Sequence, residues 1–304
     1  MPNWCANRIR ITVPACLQAD LEAWVNGAEY PYYKRAINQS IRLFIAGVAG
    51  RLKPATEMHY LPYPALTANG WTEPSEAALA FGAWVAMLGR NAWLDKACCN
   101  VIDQCYRTTG IAGLTWDALT VAEQARAEEM MRGKMHDWGH CSLRTVSCAE
   151  LFDSPEAEPE GEGFDLRLIL PTRLACEING FNGRLLNEVP SAYDLYCTNY
   201  GIKWPSASNA EITGGHGWLE IDVDTPWAPP AEPVMEALSG RWGCTIDHWF
   251  SEAGSDFCGY RRYEEGCVVD CLDDCLEYGE EDEYGWSDVT GPDWLLGNVP
   301  HYGG

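Results

Sequence analysis

The sequence is short of positive charge. Its 21 lysines and arginines stand against 44 aspartates and glutamates, a net charge of −23. The shortage is uneven. Residues 205–304 hold 21 acidic residues and only three basic ones (Arg241, Arg261 and Arg262), a balance of −18, whereas residues 1–204 hold 23 and 18, a balance of −5. A field of that sign repels nucleic acid and attracts basic surfaces, so direct DNA or RNA binding by the C-terminal third is disfavoured. No apolar run is long enough to span a membrane. The start lacks the basic-then-apolar pattern of a signal peptide. Both point to the cytoplasm, where thiols stay reduced. The 14 cysteines are therefore expected to be mostly small core residues rather than a disulfide frame.

Catalytic signatures are also missing. There is no Gly-x-Ser-x-Gly elbow. Gly214-Gly215-His216-Gly217 lacks the Lys-Ser/Thr of a phosphate loop, so it reads as a hairpin turn. No Cys-x2-Cys pair accompanies His136 and His140, which stand one helical turn apart beside Cys141, and helix-end packing is the expected role. Cys267, Cys271 and Cys275 recur every four residues, which suits one face of a helix and a buried seam with Val268 and Leu272. We expect no catalytic residue, no bound metal and no cofactor.

The most legible stretch runs from Tyr200 to Pro233. Leu219, Ile221 and Val223 alternate with Glu220, Asp222 and Asp224. Period two buries one face and leaves the three carboxylates on a solvated face, too widely spaced to grip one ion together. Pro226 ends this strand, and Pro229 and Pro230 suit the first turn of a helix. Val234 and Leu238 form that helix's stripe, and Gly240 and Gly243 end it. Cys244 to Glu252 and Asp256 to Tyr263 read as a hairpin. Upstream, Arg8 to Val13 alternate as a strand, followed by a short helix carrying Leu17, Leu21, Trp24 and Val25. The expected fold class is α+β: a ferredoxin-like antiparallel sheet (βα plus ββαβ) interrupted by a large helical insertion. The boundaries read 1–29 for the first βα unit, 30–153 for the insertion, 154–163 for a Glu/Pro/Gly-rich connector, 164–266 for the rest of the sheet domain and 267–304 for an acidic, aromatic extension. Within the insertion, helical spacing is expected over Ala36–Leu52, in a second helical region opened by Ser75 that carries Leu79, Trp84, Leu88, Trp93, Leu94, Val101 and Ile102 with a bend at Gly89, and from a capping box at Thr120 and Glu123 to about Trp138. Phe164 to Leu170 and the segment after Tyr200 read as strands.

Met1-Pro2-Asn3-Trp4-Cys5-Ala6-Asn7, Phe164-Asp165 leading to Ile169-Leu170-Pro171, Asn199-Tyr200-Gly201-Ile202-Lys203-Trp204, Thr225-Pro226-Trp227-Ala228-Pro229-Pro230, and Glu252-Ala253-Gly254 with Phe257-Cys258-Gly259 resemble the YubB-like (Api-like) family of phage and plasmid proteins. The resemblance covers about the first thirty residues and most of Phe164 to Glu265. The stretch from about Tyr30 to Ser147 and the tail after Gly266 look less like that pattern. It implies a mobile-element accessory protein with a ferredoxin-like C-terminal domain and no assigned catalytic residues.

The expected function is binding. Glu264, Glu265, Asp270, Asp273, Asp274, Glu277, Glu280, Glu281, Asp282 and Glu283 crowd together, interleaved with the aromatic residues Tyr278, Tyr284, Trp286 and Trp294. Such a surface can imitate the phosphates of nucleic acid and occupy the basic groove of a host defence complex, such as a CRISPR effector or a restriction enzyme. A solvated acidic face is the simpler reading of the same residues. A second class is a small-ligand or nucleotide-binding module with Lys203, Trp204 and Trp227 lining a pocket. An enzyme with a metal at Glu220, Asp222 and Asp224 ranks last.

Overall fold

The computed structural model describes residues 3–132, 134–138, 147–153, 159–207, 209–285 and 287–304, with the backbone alone for Met135 and His136. His140, Cys141, Trp286 and the side chain of His136, all singled out above, lie outside the described residues. The chain forms two compact units. One comprises Met1–Tyr30, Glu160–Leu170 and Tyr196–Gly304, and the other Pro31–Pro159 and Pro171–Leu195.

The first unit is built on a six-stranded antiparallel sheet. Its strands are β1 (Trp4–Thr12), β2 (Glu211–Gly215), β3 (Trp218–Pro226), β4 (Thr245–Glu252), β5 (Phe257–Glu264) and β6 (Cys267–Asp274). The order across the sheet is β2-β3-β1-β4-β5-β6. With helices Gln18–Val25 and Glu232–Trp242, the first four strands give the βαββαβ arrangement expected of a ferredoxin-like fold, and β5 and β6 extend its β4 edge. The alternation sorts the faces as expected. Ile9, Ile11, Leu219, Ile221, Val223 and Ile246 are buried, toward the two helices. Trp24, fully buried, joins these layers. Its ring lies 5.1 Å from Phe164 and 5.5 Å from Trp242, and its indole N–H donates to the Asp165 carbonyl at 2.8 Å.

The opposite face is an ion-paired ladder rather than a freely solvated acidic surface. Arg8 donates to both oxygens of Asp222 at 2.8 and 2.7 Å, and Arg10 pairs with Glu220 at 2.7 Å. Asp224 pairs with His301 at 2.8 Å. Farther across, Asp247 accepts from Arg262 at 3.1 Å and from the Tyr260 hydroxyl at 2.6 Å. Opposite charges on neighbouring strands sit close enough to pair on one face. Glu220 and Asp222 of β3 therefore have arginine partners and Asp224 has a histidine partner, which argues against the three together holding a metal.

Three local expectations are corrected. Leu166–Leu168 is a 3-10 turn rather than a strand; the Asp165 carboxylate accepts from the Arg167 backbone N–H and caps it. Tyr200 ends helix Ala192–Tyr200, and the first strand of the ββαβ half begins only at Glu211. Cys267–Asp274 is the strand β6, not a helix. A four-residue interval fits period two as well as period 3.6, and an edge strand leaves Cys267, Cys271 and Cys275 exposed rather than in a seam. The segment read as an extension is thus partly sheet. Beyond β6, Leu276, Leu295 and Val299 bury themselves on Cys258 beside Trp249. Arg8 also donates to the Gly297 carbonyl at 3.2 Å, so the C-terminal residues cover part of the ladder face.

The second unit is helical. Helix Tyr32–Ala49, with Leu43, Phe44 and Ile45 fully buried, is flanked by Glu76–Gly89, Lys96–Thr108 and Val121–Met131. Ser75 and Asp95 cap their helices, and Thr120 and Glu123 form the expected capping box. Gly47 is needed where it stands, since a Cβ there would lie 2.6 Å from the Phe81 ring. Leu79 and Val101, placed in apolar stripes by their spacing, are exposed; Phe81, Leu88, Cys99 and Ile102 fill the buried face instead.

Candidate functional site

The residues predicted to bind a partner fall into two geometrically different sets. Asp270, Asp273 and Asp274 stand on β6, whose register against β5 pairs Arg262 with Asp270, Gly259 with Asp273 and Cys258 with Asp274. Glu264 and Glu265 lie at the β5–β6 turn. Glu277 is on a two-residue strand, β7 (Glu277–Tyr278), paired with β8 (Val289–Gly291). Glu280, Glu281, Asp282 and Glu283 occupy the loop between them. Apart from Glu264, which is partly shielded, all are exposed. Two are neutralised locally: Arg262 holds Glu264 at 2.8 Å and Arg261 holds Asp273 at 2.6 Å. Among the described residues no cation pairs with Glu265, Asp270, Asp274, Glu277, Glu280, Glu281 or Glu283. Tyr278 and Tyr284 are exposed, so they do not anchor the segment, whereas Trp294 packs on the Leu276–Leu295 cluster.

The second set is brought together by the Tyr-Gly-Ile-Lys-Trp and Thr-Pro-Trp motifs. Tyr200 is buried and its hydroxyl donates to the Leu170 carbonyl at 2.8 Å. Gly201, at φ +75°, lets the chain run against residues 229–231; a Cβ there would meet the Pro229 carbonyl at 3.1 Å. The Ala231 N–H donates to the Tyr200 carbonyl at 2.8 Å, and Ile202 is buried. These contacts leave Lys203 and Trp204 at the surface beside Trp227. From the other side, Asn7 donates to the Thr225 hydroxyl at 2.8 Å, and that hydroxyl donates to the Ala228 carbonyl at 2.6 Å. The Trp227 N–H donates to the Asn3 carbonyl at 2.9 Å. The Lys203 ammonium sits 4.1 Å from the Trp204 ring centre and 3.8 Å from that of Trp227. The lysine thus occupies the faces of two indoles that are each close to half exposed.

Lys203 and Trp227 do not line the adjoining cavity, contrary to the sequence reading. That cavity, of about 150 Å³, is bounded by Trp4, Phe164, Trp204, Ser206, Asp224 and Thr225, among others. A larger hollow of about 490 Å³ lies in the helical unit, where Asn179, Phe181, Asn182, Arg184, Ser191 and Asp194 line it. Asn179 organises it by accepting from the Leu185 and Leu186 N–H groups at 3.0 and 2.9 Å and donating to the Val189 carbonyl at 2.8 Å. Sequence reasoning missed this loop. The signal available was the Gly-Phe-Asn-Gly run from Gly180 to Gly183, whose glycines both take positive φ.

A buried polar cluster lies under β1 and β4. His248 is fully buried, and its Nε2 lies 3.0 Å from Asn7 Oδ1, while Nδ1 finds no partner among the described residues. Burial, assisted by the nearby Arg261 charge, pushes its pKa down to about 3. Glu252 is also fully buried, with one carboxylate oxygen bonded to the Gly254 N–H at 2.7 Å and the other unpartnered among the described residues. No cluster of three or more potential metal ligands occurs among the described residues, and no described helix is long and apolar enough to cross a membrane.

With this geometry in view, comparisons place the chain. The model of a family described as "Protein of unknown function (DUF1281)" matches residues 30–204, and that of a "Ferredoxin-like domain in Api92-like protein" matches residues 199–290. The helical unit, set apart above as unlike the family, is therefore part of what defines it. The chain is similar to the crystal structure of api92 from Yersinia pseudotuberculosis, with a TM-score of 0.84 and 35% identity, over 93% of this chain and 100% of that one. It is also similar to two Escherichia coli K12 proteins, each named as uncharacterized. YubB is 46% identical over 46% of this chain and 99% of its own length, and YubA is 31% identical over 45% and 82%. Family match, sheet order and structural similarity agree: the chain belongs to the DUF1281 family, with the ferredoxin-like C-terminal domain of Api92-like proteins.

Proposed function

We propose that this protein acts by binding rather than by catalysis, and that its acidic sheet edge docks on the basic groove of a host nucleic-acid-binding complex. The setting is that of a phage or plasmid accessory protein acting in the cytoplasm against a defence complex. The observation that carries the reading is the placement of Asp270 and Asp274 on β6. There the backbone ladder holds their carboxylates at fixed positions without a cationic partner. A disordered tail of the same composition would lose conformational entropy on docking, and a strand already in register does not. Asp270 and Asp274, four residues apart on one strand, share a face about 13 Å apart, and a basic groove that binds phosphates would meet them as two separate negative charges. Glu265 at one end and Glu277 to Glu283 at the other lengthen the negative stripe.

The test is capture of partners from nuclease-treated host lysate, at low and high salt. The bait is the wild-type protein or a variant in which Glu265, Asp270, Asp274, Glu277, Glu280, Glu281 and Glu283 are changed to the corresponding amides. A nucleic-acid-binding complex held by wild type, released by salt and not held by the variant is the expected result. Equal capture by both proteins, or capture insensitive to salt, refutes the reading.

A further inference from the structure

The small cavity beside the indole pair has a chemistry of its own. Its walls hold three aromatic side chains and one carboxylate, with small polar and aliphatic residues, among them Ser206, Asn209 and Thr225, completing the lining. Trp4 and Trp204 stand with ring centres 6.2 Å apart and planes at 40°, the buried Phe164 contributes a further wall, and Asp224 faces the same space. Among the described residues lining it there is no lysine, arginine or histidine. Indole faces are negative, and a carboxylate adds a full negative charge at the wall, so the lining favours a cation. It does not favour a hard metal ion, which needs several oxygen ligands, and only one carboxylate is present. At about 150 Å³ the space is well below the roughly 300–1,000 Å³ of sites that enclose drug-sized ligands. It admits a head group and not a nucleotide.

The protein already shows that this patch attracts ammonium groups. Lys203 takes up the neighbouring indole surface, with its nitrogen 4.1 Å from the Trp204 ring centre and 3.8 Å from that of Trp227. It does so from outside the cavity, which it does not line. We propose that the cavity bounded by Trp4, Trp204, Phe164 and Asp224 is a binding site for an alkylammonium head group, quaternary or N-methylated. A trimethylammonium carries its charge on a weakly hydrated, apolar surface. It gives up little hydration on entering an aromatic cage, unlike a primary ammonium. Two sources share that head group: a free small molecule such as choline, and an N-methylated lysine side chain of a protein. This site is independent of the acidic sheet edge.

His301 and Lys203 set the conditions for binding. His301 pairs with Asp224 at 2.8 Å, so it shares the carboxylate that a bound cation would use. The Lys203 charge competes for the Trp204 ring, so Lys203→Met is expected to tighten it.

The measurement is calorimetry with ligand-observed NMR at pH 8, using choline, its neutral carbon isostere 3,3-dimethylbutan-1-ol, and an N-acetylated trimethyllysine peptide. We expect choline to bind about tenfold or more tightly than the isostere. Trp204→Ala and Asp224→Asn should each weaken it by about tenfold, with unchanged circular dichroism. Trp227→Ala, which lies outside the cavity, should leave it within about twofold. A peptide that binds more tightly than choline assigns the site to protein side chains, and the reverse assigns it to a small molecule. Equal binding of choline and its isostere, no binding of either cation, or full retention in Trp204→Ala with intact folding overturns the proposal.

Discussion

His248 makes the stability of the first unit depend on pH in a way that can be worked out in advance. The imidazole is fully buried between Ile9 on β1 and Arg261 on β5, its Cα partners in the sheet. Its Nε2–H is satisfied by Asn7, and Nδ1 is buried without a donor or acceptor among the described residues. Protonation would place a second positive charge beside Arg261 in a dry layer. The folded-state pKa accordingly falls to about 3, from an ordinary 6.5. A depressed histidine favours the folded state above its unfolded pKa. As pH falls below about 6.5 the unfolded chain binds a proton that the folded chain refuses. Stability then drops by about 1.4 kcal/mol per pH unit until the folded group itself titrates near pH 3. Between pH 7.5 and 4.5 this one group removes roughly 2.5 kcal/mol. The many carboxylates add their own pH dependence, so the quantity to read is a difference. Urea denaturation followed by near-ultraviolet circular dichroism, at pH 7.5, 6.5, 5.5 and 4.5, would compare wild type with His248→Gln. The glutamine amide can still donate to Asn7 but does not titrate. Any fixed cost of the substitution shifts the whole curve, whereas the lost proton changes its slope. The variant's stability relative to wild type should therefore rise by roughly 2.5 kcal/mol across the range. Parallel curves would show that His248 titrates normally in the folded protein and would refute the argument.

Two further outcomes follow from the same sheet. Arg8→Leu removes the charge that satisfies both oxygens of Asp222 and the donor to Gly297, and is expected to destabilise the protein by about 1.5–3 kcal/mol in denaturant titration. A loss below about 0.5 kcal/mol would place the pair with ordinary surface ion pairs. Thiol titration at pH 8 with an aromatic disulfide reagent should find Cys267, Cys271 and Cys275 fast, since all three are exposed. Cys244 and Cys258 should be slow, because burial pushes their pKa values up to about 11. A triple serine variant at the three exposed positions should lose three fast equivalents; an unchanged fast phase contradicts an exposed β6.

Local pattern alone determined the strands and helices whose apolar residues repeat on a single period. Leu219-Glu220-Ile221-Asp222-Val223 could only be a one-sided strand, and Thr120 with Glu123 could only open a helix. Those elements, placed in chain order, implied the ferredoxin-like sheet, and the uneven charge pointed to a basic partner. The sequence could not decide β6, because cysteines four apart satisfy both a helix and a strand, and only pairing with β5 separates the two. Nor could it show that Glu220, Asp222 and Asp224 face Arg8, Arg10 and His301. Cross-strand neighbours come from distant parts of the chain, and register is a tertiary property. The same holds for the cavity, whose walls at Trp4, Phe164, Trp204 and Asp224 are scattered through the sequence. The motifs marked Lys203, Trp204 and Trp227 as candidates to line a pocket. Which ones meet there was decided by the sheet order and by Gly201 passing closely over residues 229–231.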